Sequence, residues 1–225
     1  MPLEPTSPTG NRFNHFMGKF RIRILKKVAQ AGEYGVAVET GTLFGYSTLK
    51  LSKHFPLVYT IEINRELYEK AAAKFKNNER IRVLFGDSKL VLRELLKEIR
   101  QPCLFYLDAH FSGDHTTNWK ESRWRGYRVD TGYAGDRPVA ENQVPLFEEI
   151  KVIHDCFKSR CLIYIDDVDK FDESGAGIRD KNFQGEDWSH LNLNSIRDYL
   201  AGRLKAWVKL KSQLMIQLNE IPEGR

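Results

Sequence analysis

Several kinds of segment are missing from this sequence, and each absence narrows its class. No apolar run comes near the roughly 20 residues that a membrane-spanning helix needs. The first residues, MPLEPTSPTGNRFNH, contain no apolar h-region, so no secretory signal is expected there and they read as a loose polar leader. Cysteine is scarce: Cys103, Cys156 and Cys161 are the only three in 225 residues. They lack the paired spacing of a zinc site, and two lie inside apolar runs. Buried, reduced thiols in a cytoplasmic protein are therefore expected. Neither an internal repeat nor a low-complexity tract interrupts the chain. GxGxxG spacing is absent as well, which sets the dinucleotide-dependent dehydrogenases aside.

What is present suits one globular domain spanning 1–225. A hydrophobic fraction of 41% against 29% charged residues is enough for one substantial core under a solvated surface. The net charge is +5, and much of the excess lies in Arg12, Lys19, Arg21, Arg23, Lys26 and Lys27. Such a stretch suits nucleic-acid phosphates. Equally, Phe16, Phe20, Ile24, Leu25 and Val28 fall near helical spacing, so residues 1–30 also read as a leader plus the solvated face of a basic helix.

From Gly35 onward, short apolar runs alternate with amphipathic stretches. GVAVET reads as a strand and YSTLKLSKHF as the helix after it. LVYTIEI with RELYEKAAAKFKNN, and IRVLFGD with KLVLRELLKEIR, repeat the pattern. CLFYLDAH is a fourth strand, VPLFEEIKVIHDCFK a helix and CLIYIDD a fifth strand. This alternation predicts an α/β fold with a mostly parallel sheet. The near-continuous apolar strands predict helices on both faces. The tail departs from that rhythm. After the helix SIRDYLAGR, LKAWVKL and SQLMIQL read as two strands around a turn near Lys211 and Ser212, an antiparallel hairpin at one edge. Residues 111–144 follow the fourth strand, where open α/β sheets bind ligands. Their length and their Gly, Trp, Tyr, Arg and Asp content suit a substrate lid, with His115, Trp119, Trp124 and Tyr127 as lid contacts.

Three motifs stand at the ends of the first three strands. Glu39-Thr40-Gly41-Thr42-Leu43-Phe44-Gly45-Tyr46-Ser47 links the first strand to its helix. Gly41 permits a tight turn close to a ligand, and the helix start offers unpaired N–H groups. An acidic residue there is awkward beside phosphates but suits a cationic ligand, such as a sulfonium with an amino-acid head. Glu62, at the tip of the second strand, can accept two ribose hydroxyls. Asp87 can accept from an adenine amino group, and Ser88 can also cap the next helix.

The ETGTxxGxS turn, IEI, GDS and LDAHFSG occur in the order found in class I S-adenosylmethionine-dependent methyltransferases. Residues 35–167 resemble the catechol-like and sugar O-methyltransferase branch of that class. The resemblance implies a Rossmann-like open twisted sheet and a small-molecule methyl acceptor. It also implies S-adenosylmethionine along Glu39, Thr40, Gly41, Thr42, Tyr46, Ser47, Glu62, Asp87, Ser88 and Asp108. In that fold the fourth and fifth strands are neighbours, so Asp108 and the pair Asp166–Asp167 would converge. Three carboxylates so close need a cation or a shared proton. All-oxygen ligation favours Mg²⁺, so Asp108, Asp166 and Asp167 are the expected metal ligands.

His110 lies two residues after Asp108, where the related sugar enzymes carry an acid. Its ordinary pKa of about 6.5 suits a general base. His154 sits in a helix pattern and reads as structural. Two other functions stay open on the sequence: an RNA methyltransferase, from the basic stretch, and a non-catalytic scaffold with a cofactor fold. A homo-oligomer is compatible with every reading.

Overall fold

The computed structural model describes residues 27, 34–110, 144–171, 188–210 and 212–222. The basic N-terminal stretch (apart from Lys27), the expected lid at 111–144 (apart from Val144) and Lys211 fall outside the described residues.

The described chain forms β1 (Val36–Thr40), α1 (Tyr46–Leu51), β2 (Leu57–Glu62), α2 (Arg65–Phe75), β3 (Ile81–Phe85), α3 (Ser88–Leu95) and β4 (Cys103–Leu107). It continues with α4 (Leu146–Cys156), β5 (Cys161–Ile165), a 3₁₀ turn at Val168–Lys170, α5 (Leu193–Leu200), β6 (Leu204–Leu210) and β7 (Gln213–Leu218). The strands build one seven-stranded sheet in the order β3-β2-β1-β4-β5-β7-β6. β1 to β5 pair in parallel, whereas β7 runs antiparallel to both β5 and β6. The tail hairpin thus extends the sheet beyond β5, with β6 on the edge.

Local chemistry explains the elements. All five residues of β1, β4 and β5 are buried, as the uninterrupted apolar runs predict for central strands. The edge strand β6 instead has no buried residue, and its last three residues are exposed. Asn64, Asp87 and Asn192 cap α2, α3 and α5 by accepting from backbone N–H groups in the first turn. Each satisfies donors that the helix start leaves unpaired.

Successive strand residues feed opposite layers of the core. Val36, Val38, Phe105, Leu107, Ile163 and Ile165 pack with Leu92 of α3, Ile150 and Ile153 of α4 and Ile196 of α5. Ala37, Val58, Leu104, Tyr106 and Tyr164 pack with Leu51 of α1 and with Ala71 and Phe75 of α2. Helices therefore cover both faces. Cys103 and Cys161 are buried opposite each other in β4 and β5, and all three thiols are free. Burial pushes the Cys161 thiol up to about 12, which leaves it a protonated, inert packing group. Among the described residues, no helix is long and apolar enough to cross a membrane.

Element ends differ from the sequence reading. β3, β4 and β5 stop two or three residues early, so Asp87, Asp108, His110, Asp166 and Asp167 all lie in loops just beyond the sheet. Ladder pairing ends there, and the backbone turns. The predicted helices over 46–55 and 89–100 finish at Leu51 and Leu95. In the second, the following N–H groups of Lys97 and Glu98 bond three residues back, to Glu94 and Leu95.

Candidate active site

The register sets the strand tips level. Thr40 lies opposite both Ile61 and Leu107, and Leu107 lies opposite Ile165. Gly41, Glu62, Asp108 and Asp166 therefore emerge in a row along the C-terminal edge. The chain winds outward from β1 to β3 on one side and from β4 to β5 on the other. The crevice between β1 and β4 is the switch point, where sheets of this kind bind ligands.

Gly41 has φ +81°, and a Cβ there would stand 2.7 Å from the Asp108 carbonyl oxygen. The position needs glycine both for its backbone conformation and for the close approach of the β4 loop. The turn is tied to β2. The Gly41 and Thr42 N–H groups donate to the Ile61 carbonyl at 3.0 and 3.2 Å. The Leu43 N–H donates to Glu62 Oε2 at 2.8 Å, and the Asn64 N–H to Glu62 Oε1 at 2.9 Å. These amides are engaged within the protein, so the turn offers a ligand shape more than donors. Glu62 is buried and held by both bonds. Tyr46 is exposed, with the Lys74 ammonium 5.1 Å from its ring centroid.

Glu39 presents no surface to a ligand, being 0% exposed. It belongs to β1 and faces α1 and β2. The Thr60 hydroxyl donates to its Oε2 at 2.7 Å, and the Thr48 hydroxyl donates to the same oxygen. Thr42 and Thr60 share a further hydroxyl bond of 2.6 Å. Burial pushes the Glu39 carboxyl up to about 7, against the opposing pull of the Ser47, Thr48 and Thr60 hydroxyls, with Asp108 adding a smaller push. Asp87 caps α3 through the Lys89 N–H at 3.0 Å and lies 3.5 Å from the Lys89 ammonium. Ser88 is buried.

The other side of the crevice gathers the chemistry. His110 Nε2 lies 3.9 Å from Asp108 Oδ1 and 3.8 Å from Asp167 Oδ2. Potential ligand atoms of Asp108, His110 and Asp167 all fall within 4.8 Å of one another. This set keeps Asp108 and Asp167 of the expected triple and adds His110. Asp167 has φ +60°, in the left-handed region. Asp166 is 4% exposed and lines a hollow with Asp108, His110, Val144 and Trp188.

Two further residues belong to this side. Lys170 Nζ lies 3.6 Å from Asp167 Oδ2 and 4.9 Å from the centre of the Trp188 ring. Trp188, 2% exposed, stacks on Phe171 and meets the His110 ring at 5.5 Å between centroids. Trp188 lies far from the predicted residues in sequence, whereas Lys170 is three residues after Asp167 and reaches it along the 3₁₀ turn. Glu149 of α4 was also passed over. It is fully buried and accepts from the Thr40 hydroxyl at 3.3 Å. The available signal was a charge at 149 on the same helix face as Leu146, Ile150 and Ile153. His154, expected to be structural, bonds Asp155 at 2.8 Å on the outer face of α4.

Comparison with solved structures bears on the architecture. The O-methyltransferase TomG from Streptomyces achromogenes, involved in tomaymycin synthesis and solved with SAM, is similar at a TM-score of 0.50 and 16% identity; the match covers 89% of this chain and 79% of that one. An O-methyltransferase from Bacillus cereus in complex with SAH matches at 0.51 and 16%, covering 97% and 84%. The SAH-bound Podospora anserina methyltransferase PaMTH1 matches at 0.51 and 14%, covering 99% and 100%. This chain therefore has the Rossmann-like fold of the class I methyltransferases. No family model matches it, and no curated protein sequence does.

Proposed function

We propose that this chain transfers a methyl group from S-adenosylmethionine to an oxygen of a small-molecule acceptor, such as a sugar or a secondary metabolite. The observation that carries the reading is the opposition across the switch point. Glu62, locked by two backbone N–H groups, faces the side of β1 where ribose would lie, and Asp108 with His110 stands on the other. The solved neighbours with SAM or SAH support the same reading.

In this reading Glu62 accepts the ribose hydroxyls and Asp87 with Ser88 flanks the adenine. The turn Thr40–Ser47 shapes the wall behind the methionine portion, with Tyr46 as its exposed aromatic. Asp108 faces the cationic end. His110 takes the proton from the acceptor hydroxyl as the oxygen attacks the methyl carbon. The carbon–sulfur bond breaks, leaving a neutral thioether and a methyl ether, and the proton later passes from the imidazole to solvent. Trp188 excludes water from that side. Holding the reactants in line contributes most, since effective molarities can reach about 10⁵ M.

Asp108, Asp167 and His110 are spaced closely enough for one divalent ion to join them. The nitrogen suits Mn²⁺, Fe²⁺ or Zn²⁺ better than an all-oxygen Mg²⁺ site would. Such an ion would polarise the acceptor hydroxyl. It would compete with Lys170 for Asp167 and with the proton for His110.

Calorimetric titration of S-adenosylmethionine, followed by methyl-label transfer into a metabolite extract, tests the reading. Binding well below about 1 mM is expected. Asp108→Asn is expected to cut label transfer far more than binding. Absence of heat at millimolar ligand overturns the cofactor. Label transfer that survives exhaustive chelation removes the metal and leaves the transfer.

A further inference from the structure

The acceptor side of the crevice is rich in acid. Asp108 and Asp167 flank His110, and Asp166 lines the hollow beside it. Carboxylates gathered in this way need positive charge close by. A bound ion is one source, and the chain itself carries another. Lys170 Nζ lies 3.6 Å from Asp167 Oδ2, the same oxygen that faces His110 Nε2 at 3.8 Å. The backbone fixes where this lysine starts. Its N–H donates to the Asp167 carbonyl at 3.0 Å, which closes the 3₁₀ turn. The Val168 N–H donates to the Ser212 carbonyl at 2.9 Å, which ties the turn to the start of β7. A lysine on a turn ordinarily extends its ammonium into water. This side chain is only 13% exposed, against 34% for Asp167. It lies over the Trp188 ring, 4.9 Å from the centre, and Trp188 in turn stacks on Phe171.

We propose that Lys170 is the resident cation of the acceptor side, a positioning residue that holds Asp167 beside His110 in place of a divalent ion. This rests on the methyl-transfer reading above and decides between its two forms. An ion bound to Asp167 Oδ2 would share that oxygen with the ammonium, and like charges so close repel. The ammonium is also held independently of the acids. The turn sets its origin, and the Trp188 ring lies against it. Charge of the needed sign is therefore present at the acids in the folded chain itself.

The arrangement agrees with the work given to His110. Its Nδ1 is buried, and Nε2 is the nitrogen that faces both acids. A ligated ion would claim the Nε2 lone pair that the acceptor's proton needs. With Lys170 as the counter-charge, that lone pair accepts the proton, and Asp108 and Asp167 flank the imidazolium so formed. Two substitutions separate charge from packing. Lys170→Met keeps an apolar stem against Trp188 and removes the charge, whereas Lys170→Arg keeps the charge.

The test is calorimetric titration of Mn²⁺ into the metal-free full chain, alongside methyl-label transfer into a metabolite extract with and without EDTA. The parent is expected to bind Mn²⁺ no more tightly than about 1 mM and to transfer label equally well in EDTA. Lys170→Met is expected to bind Mn²⁺ at least about tenfold more tightly than the parent, because the competing charge is gone. Its label transfer in EDTA should fall at least about tenfold, and Lys170→Arg should retain most of it. A lysine that served packing alone would leave the Mn²⁺ affinity unmoved. Equal Mn²⁺ affinity in the parent and Lys170→Met overturns the proposal, as does parent transfer that EDTA abolishes and Mn²⁺ restores. Should Lys170→Met fail to fold, Lys170→Gln takes its place in the titration, and the parent's response to EDTA needs no variant. If the parent transfers no label under any condition, the methyl-transfer reading is at fault. The Mn²⁺ comparison then decides by itself whether Lys170 keeps an ion from Asp167.

Discussion

At the residue scale, the two fully buried carboxyls make stability depend on pH. Glu39 and Glu149 are each raised by burial from 4.5 to about 7. Between those values the folded chain keeps protons that the unfolded chain has released. The stabilisation is complete below about pH 4.5 and is lost as pH rises through about 7, by on the order of 3 kcal/mol per group. Urea unfolding at about pH 5.5 and about pH 8 should show a difference between the two that shrinks by roughly 1–2 kcal/mol in Glu39→Gln. An unchanged difference in that variant would show that the buried acid stays ionised throughout. Legibility at this scale was uneven. Glu62, Asp87 and Asp108 announce themselves as acids at the ends of apolar strands. Glu149 does not, because a helix face has many acids and only the packing tells which one is inward.

At the scale of elements, Arg203 shows how the far edge of the sheet is closed. It is buried and donates to the carbonyls of His154 at 2.6 Å, Ser159 at 3.1 Å and Asn219 at 2.9 and 3.1 Å. One guanidinium therefore joins the end of α4, the approach to β5 and the exit of β7, all at the edge opposite the crevice. Arg203→Met would strand those carbonyls, at a cost of about 3 kcal/mol or more. Chemical denaturation should record that loss while S-adenosylmethionine binding to the folded protein stays unchanged. Weakened binding in the folded variant would mean that the two edges are coupled. The strands and their order of types were readable, since period and apolar run length are local properties. Their ends were not, because a strand stops where its neighbour's pairing stops, as at Leu107 opposite Thr40.

At the scale of the whole molecule, a ligand in the crevice would contact loops from both halves of the sheet. It would therefore report on global stability. S-adenosylhomocysteine at about one hundred times its dissociation constant should add about 2.7 kcal/mol. For a chain of this size that corresponds to roughly 5–10 °C in Tm. Scanning fluorimetry measures it directly. A Tm indifferent to the ligand would show that the crevice does not close on it.

The sequence by itself determined the alternation of strand and helix, the antiparallel tail and the acids at strand ends, because apolar period and turn chemistry act within a few neighbours. Tertiary structure decided which acids turn inward. Asp167 stands 3.8 Å from His110, while its neighbour Asp166 is buried in the adjoining hollow. Glu149 and Trp188 join the site only through contacts made by segments distant in sequence. Burial and proximity are properties of the packed molecule, so no local pattern carries them.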